Sequence, residues 1–207
     1  VPAQHSILDT TTGEPGEMDA LGQALTQHGA AYLEANVAGS SALAKRGEAT
    51  LFLGGSAKTI DRSQALLEAL ATKRFHVGPV GAASRFKLVH NLILGLNRAA
   101  LAEGLAFAEA LGFDASDALA ILRETPATSA ALEAKGEKMA KREFDPPQAR
   151  LSQHLKDVRL IRQLAEEIGA ATPLTEAHQT LLKRAEALGL GKSDNSAVIE
   201  ALRRGNL

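Results

Sequence analysis

Hydrophobic positions change period several times over the first 78 residues. "HSILD" (5–9) is a short β-like run, followed by the turn-rich "TTTGEPG". In "EMDALGQALTQHG" (17–29), Met18, Leu21 and Leu25 fall on one helical face, with Gly29 placed as a C-terminal stop. "AAYLEANVAG" (30–39) and "ATLFLGG" (49–55) have the apolar, turn-bounded character of strands. "IDRSQALLEALAT" (60–72) returns to helical spacing, and "KRFHVG" (73–78) to a strand. Alternating strand and helix predicts a parallel or mixed sheet covered by helices.

From residue 82 the strand signals stop. Helical spacing predicts helices over 82–111, 116–124, 127–141, 150–168, 173–188 and 195–204, separated by Gly and Pro. Thr172 before Pro173 has the form of an N-cap followed by proline in the first turn, Gly189 closes that helix, and Ser193 or Asp194 opens the last one. The expected architecture is an α/β remnant of a Rossmann-type domain, 1–78, joined by a long helix to an all-helical domain, 79–207.

The segment 82–111 would span about 45 Å as one helix. Between Phe86 and Ala102 it is apolar on nearly every side (Leu88, Val89, Leu92, Ile93, Leu94, Leu96), which predicts burial all round. Lys87, Asn91 and Arg98 fall within roughly 40° of one another on it, a narrow polar stripe flanked by His90 and Asn97. An ammonium group without partners is costly to bury. Such a stripe is therefore either the solvent edge of a mostly buried helix or the wall of a cleft in which Lys87 gives and takes protons.

Charge and composition remove several alternatives. With 23 Lys+Arg against 24 Asp+Glu there is no global basic field to attract nucleic acid or an anionic membrane. The local basic groups, Lys138, Lys141 and Arg142, and Arg203 with Arg204, are interspersed with acids and are predicted to be solvated faces. There is no cysteine, so disulfide and thiolate chemistry are excluded, and the composition fits a cytoplasmic protein. The six histidines lack metal-ligand spacing, so no metal is expected. Nothing resembles a signal peptide or a membrane span.

Five segments together carry a resemblance. "LDTTTGEP" (8–15) is similar to D-x-S-T-x-x-P. "EANVAGSSALAKRGEATLFLGG" (34–55) parallels a D-A-P-V-S-G-G loop followed by a strand ending in Gly-Gly. "GPVGAASRFKLVHN" (78–91) resembles G-x-x-G-x-G-x-x-x-K-x-x-N-N. "HLKDVRLIRQLAEEIGAATPL" (154–174) resembles a Lys-Asp helix with a proline exit, and "GLGKSDNSAVIEAL" (189–202) a closing G-x-G-x-x-D-x-S-A. In register over the whole chain, they resemble the β-hydroxyacid dehydrogenases: 3-hydroxyisobutyrate dehydrogenase, tartronate semialdehyde reductase and, more distantly, 6-phosphogluconate dehydrogenase.

That resemblance implies hydride transfer between NAD or NADP and a small hydroxy acid, with Lys87 as general acid/base and Asn91 orienting Lys87 or the substrate. It implies that Gly39 and Ser40 hold the substrate carboxylate, that Thr11, Thr12 and Lys156 lie at the nicotinamide end of the cofactor, and that the helical domain builds a homodimer or tetramer. On pattern alone, Thr11 and Thr12 are also ordinary turn formers, Gly39 a tight turn and Lys156 a solvated lysine opposite Leu151, Leu155 and Val158. Departures are Asn36 for the loop proline, Ala38 for its serine, Ser40 for its second glycine, Ala83 for the third motif glycine and His90 for the first of two asparagines. The loop changes imply a substrate other than hydroxyisobutyrate. A lysine at 87 argues against an imine reductase, which shares the fold. A non-catalytic oligomerisation or reader module descended from such an enzyme is the alternative from another class.

No Gly-x-Gly-x-x-Gly occurs in the 207 residues. With the opening "VPAQHSILD", the resemblance implies that a preceding glycine-rich unit of roughly a hundred residues belongs with this chain.

Overall fold

The structure is a computed structural model and describes residues 6–203. His5, placed above in the first strand, and Arg204, placed in a basic pair, lie outside the described residues. The chain divides after His90 into two compact units.

The first unit carries β1 (Ser6–Asp9), α1 (Pro15–Gln27), β2 (Ala31–Ala38), a short α2 (Ser41–Lys45), β3 (Thr50–Gly54), α3 (Ala57–Arg62), α4 (Gln64–Leu70) and β4 (Lys73–Gly78). It ends with the first turns of α5 (Ala82–Ala110). The four strands lie in the order β1-β2-β3-β4. β1 and β2 are parallel, β2 and β3 antiparallel, and β3 and β4 parallel, so the sheet is mixed. Local chemistry sets the boundaries. The Glu14 carboxylate accepts the Gly16 and Glu17 N–H groups at the start of α1, and Gly29, at φ 74°, ends it.

Alternation along β2 and β3 gives the sheet two unlike faces. Leu33, Ala35, Leu51 and Leu53 pack with Leu67 and Ala71 on one side. On the other, Ala38 and Phe52 pack with Ala83 of α5, and Glu34 and Asn36 share that side by register. A carboxylate and an amide on a core face are the first sign of a site.

The second unit carries the rest of α5, then α6 (Ala115–Arg123), α7 (Ala130–Lys141), α8 (Leu151–Glu167), α9 (Pro173–Ala187) and α10 (Glu200–Arg203), with 3₁₀ turns at Leu190–Lys192 and Asn195–Ile199. Its core joins Leu105, Leu119, Leu132, Met139, Leu155, Leu182 and Ile199. The helix expected over 195–204 thus opens as a 3₁₀ turn capped by Asp194. Thr172 makes no side-chain cap for α9. Its hydroxyl instead accepts from Arg162 Nη1 at 3.3 Å.

The expected all-round burial of α5 is corrected. Phe86 (43 % exposed), Val89 (51 %) and Ile93 (54 %) face outward, whereas Lys87, Asn91 and Arg98 are 7 %, 9 % and 4 % exposed. The polar stripe is turned inward and an apolar stripe outward.

Candidate active site

Lys87 is brought to the carboxyl end of β2. Its ammonium donates to the Val37 carbonyl at 2.6 Å, two residues before the Gly39–Ser40 loop. The lysine is buried, so its charge rests on its hydrogen-bond partners and not on bulk water. Val37 belongs to the strand that also supplies Glu34 and Asn36.

The loop after β2 is shaped by its own residues. Gly39 has φ 147°, a backbone region that a side chain disfavours, and a Cβ there would meet Ala49 Cβ at 3.3 Å. Ser40 caps α2, its Oγ accepting the Leu43 N–H at 3.3 Å.

The segment after β1 is held by a small network. Asp9 Oδ1 accepts from the Thr11 N–H (2.8 Å) and hydroxyl (2.7 Å), and Asp9 Oδ2 from the Tyr32 hydroxyl (2.7 Å). Burial works against the Asp9 carboxylate, but these donors outweigh it and hold its pKa below the ordinary range. Burial, then the bond to Asp9, pushes the Tyr32 phenol up. Asn36 Nδ2 donates to the Thr11 carbonyl, while Asn36 Oδ1 is buried without a hydrogen-bond partner. The Thr11 hydroxyl therefore serves the turn, and Asn36, where the family pattern has proline, ties that turn to β2.

A second network fixes the start of α5. Glu34, 1 % exposed, accepts from the Gly81 N–H at 2.6 Å and from the Ser84 hydroxyl. Gly54 leaves room for it, since a Cβ there would strike Glu34 Oε2 and approach Ala83 N to 3.0 Å. Nearby, Phe52 packs edge-on against Phe86 (4.8 Å between centroids) and tilted against His90 (5.7 Å).

In the second unit, Asn91 Nδ2 donates to Asp157 Oδ2 at 3.1 Å. Lys156 Nζ lies 3.8 Å from Asp157 Oδ1, with 47 % of its side chain exposed. Asp157 therefore links two of the residues singled out in the sequence, Asn91 and Lys156.

Two family profiles match. Residues 1–78 match the NAD binding domain of 6-phosphogluconate dehydrogenase. Residues 81–202 match the profile described as NAD-binding of NADP-dependent 3-hydroxyisobutyrate dehydrogenase. The chain belongs to the β-hydroxyacid dehydrogenase family. Among curated members similar to it, glyoxylate/succinic semialdehyde reductase 1 of Arabidopsis thaliana is 31 % identical over 95 % of this chain and 68 % of its own. The cytokine-like nuclear factor N-PAC of Aedes aegypti is 33 % identical over 92 % of this chain and 34 % of its own. A 3-hydroxyisobutyrate dehydrogenase from Salmonella typhimurium, known from a crystal structure, superposes with a TM-score of 0.90 at 25 % identity, covering 97 % of this chain and 70 % of that one. The chain spans about a third of the length of the first curated relatives it matches.

In this member of the β-hydroxyacid dehydrogenase family, two acidic residues of the site were not singled out from the sequence. Glu34 was visible as a lone carboxylate inside an apolar strand, a signal of a buried polar group that must find hydrogen-bond donors. Asp157 was quoted within the Lys-Asp helix, but its bond to Asn91 spans 66 residues and no local pattern reports it.

Proposed function

We propose that this chain is the substrate-side and helical portion of an NAD- or NADP-dependent oxidoreductase that interconverts a small 3-hydroxy acid and its semialdehyde or keto acid, with Lys87 as general acid/base. One observation carries the reading: a buried lysine ammonium, hydrogen-bonded to the Val37 carbonyl beside the Gly39–Ser40 loop, in a chain of this family. Residues 1–78 then complete the carboxyl-terminal part of a dinucleotide-binding domain, and 79–207 form the helical domain.

The residues present fit the nicotinamide end of the cofactor. Thr11 and Thr12 follow the carboxyl end of β1, the edge at which open α/β sheets bind ligands, and the orphaned Asn36 Oδ1 beside them is an acceptor in search of a donor. For Lys156, on α8 of the second unit, a cofactor role rests on the family resemblance alone. When bound, the nicotinamide supplies the hydride in reduction and takes it in oxidation.

The chain's own residues handle the proton. In reduction the Lys87 ammonium donates to the carbonyl oxygen of the substrate, which becomes the hydroxyl. In oxidation the Lys87 amine takes the hydroxyl proton. The Val37 carbonyl aims the lysine, and the backbone N–H groups of Gly39 and Ser40 hold the carboxylate so that the reacting carbon faces it. Asn91, one turn after Lys87, orients the lysine or the substrate.

The full-length protein, assayed with NADH and NADPH against a series of small semialdehydes and keto acids, tests this. Lys87→Ala is expected to lower kcat about 10²- to 10⁴-fold with the cofactor KM unchanged. Turnover that survives Lys87→Ala removes Lys87 as proton carrier. Absence of turnover in the wild type favours the second reading, a non-catalytic oligomerisation or reader module descended from such an enzyme, to which similarity to a protein named as a nuclear factor lends weight.

A further inference from the structure

We propose that Glu34 is a positioning residue for Lys87: it clamps the first turn of α5 to β2 and so fixes where the ammonium sits. The proposal rests on the acid/base role given to Lys87 above. Three observations carry it, all within the first unit.

First, Glu34 is a fully buried carboxylate whose two oxygens are both used, by the Gly81 N–H at 2.6 Å and by the Ser84 hydroxyl. Neither partner is a cation. A carboxylate in an apolar interior is costly unless its hydrogen bonds are complete, so the turn 81–84 is bound as tightly as its two donors allow. Second, Ser84 and Lys87 are three apart on α5 and therefore neighbours on one helical face. On β2, Glu34 and Val37 are also three apart. Helix and strand are thus tied twice, once through Glu34 and once through the bond from Lys87 to the Val37 carbonyl. Loss of the first tie leaves the second as a pivot. Third, the surroundings are cut to admit this carboxylate. Gly54 opposite has no side chain to strike Glu34 Oε2, and Gly81 holds φ 84°, with Asp19 and Arg85 occupying the space a Cβ would need. Asp19 and Arg85 are ion-paired with each other, and the phenol of Tyr32, also on β2, feels the Glu34 charge.

The consequence is kinetic as well as structural. A displacement of about 1 Å at a reacting group costs up to roughly 100-fold in rate. In addition, the Glu34 carboxylate is bonded to Ser84, one helical turn before Lys87. An opposite charge placed on that side of the helix favours the protonated form of the ammonium.

The test uses the full-length protein with Glu34→Gln, Glu34→Asp and Ser84→Ala. A carboxamide keeps one acceptor oxygen for the Gly81 N–H, while the Ser84 hydroxyl must turn to accept from its NH2 group. One bond of the clamp is thus reversed, and the charge that strengthened both is removed. Glu34→Gln is expected to lower kcat about 10- to 100-fold with cofactor KM unchanged. The Lys87 limb of its kcat–pH profile is expected to move down by about one pH unit. Glu34→Asp keeps the charge and leaves that limb in place, while the shortened reach still lowers kcat. Ser84→Ala, the milder lesion, is expected to cost roughly threefold to tenfold in kcat and carries the test if Glu34→Gln does not fold. The pH dependence of Lys87 acylation, read by mass spectrometry, follows the lysine without any turnover. A downward shift in Glu34→Gln supports the clamp even if the assigned reaction fails. If folded Glu34→Gln or Ser84→Ala matches the wild type in kcat and in Lys87 titration, or if activity falls only with the folded fraction, Glu34 is purely structural and the proposal is overturned.

Discussion

Asp194 shows how one residue can hold a unit together. It is inaccessible to solvent and accepts from Lys135 Nζ at 2.9 and 3.0 Å, the Gln148 N–H at 2.8 Å, and the Ser196 N–H and hydroxyl at 3.0 and 2.8 Å. α7, the segment before α8 and the final 3₁₀ turn thus meet on one carboxylate. Burial works against its charge, but the Lys135 bond and the Ser196 N–H outweigh it and hold its pKa below the ordinary value. Burial pushes Lys135 down, with Asp194 opposing. The "SDNSA" run is thereby explained without a ligand. Lys135→Met leaves the carboxylate buried with only neutral donors and is expected to cost about 3–5 kcal/mol, read as a lower denaturant midpoint with an unchanged slope. Adding Asp194→Leu recovers only part of that loss, because the Gln148 and Ser196 donors are then orphaned. Full recovery in the double variant would refute the knot.

At the scale of elements, α5 separates what the sequence could report from what it could not. The length of the helix, its start after Gly81 and the stripe of Lys87, Asn91 and Arg98 were legible because they follow from spacing alone. The direction of the stripe was not, since apolar residues on nearly every side leave no amphipathic contrast to orient the helix. Glu34 had a readable anomaly, but its partners lie 47 and 50 residues away. The reversal between β2 and β3 was hidden because the turn after Ala38 contains the five-residue α2, too short for a periodic signal. What α5 leaves outside is a row of large apolar side chains: Phe86, Val89 and Ile93 on adjoining turns. Such a row marks an association surface, and the family resemblance supplies a second copy as the partner. If the full-length protein is the homodimer or tetramer that the resemblance implies, Val89→Glu combined with Ile93→Glu is expected to turn it into monomer in sedimentation velocity, with helical circular dichroism retained. An unchanged sedimentation coefficient would place the interface elsewhere.

At the scale of the molecule, the inward polar stripe makes stability depend on pH. Arg98 is almost fully buried, and burial lowers its pKa to about 10, so it stays cationic at neutral pH. Its Nε and Nη1 have no hydrogen-bond partner, nor do His154 Nε2 and His178 Nε2. The two imidazoles lie 5.1 Å apart over Gly95, where a Cβ would come within 2.6 Å of His154 and 2.9 Å of His178. Burial, then the charge of Arg98, lowers His178 to about 4 and His154 well below its ordinary value. Both rings are neutral in the folded unit and take up protons on unfolding, so the unfolded chain binds more protons below about pH 6.5. Their stabilisation is complete above that pH and is lost progressively as pH falls toward 4, by roughly 3 kcal/mol for His178 alone. Of the other charged groups that act on Arg98, Asp194 opposes the effect of burial on it. Lys135, ion-paired with Asp194 at 2.9 Å, is pushed down by burial and also by the Arg98 charge. Both rings still feel that charge. Thermal midpoints are thus expected to be flat from pH 8 to about pH 7 and to fall steeply from about pH 6.5 to pH 4.5, with His178→Leu flattening that fall. A midpoint that rises on acidification, or a slope unchanged in His178→Leu, would show that the buried imidazoles do not control it.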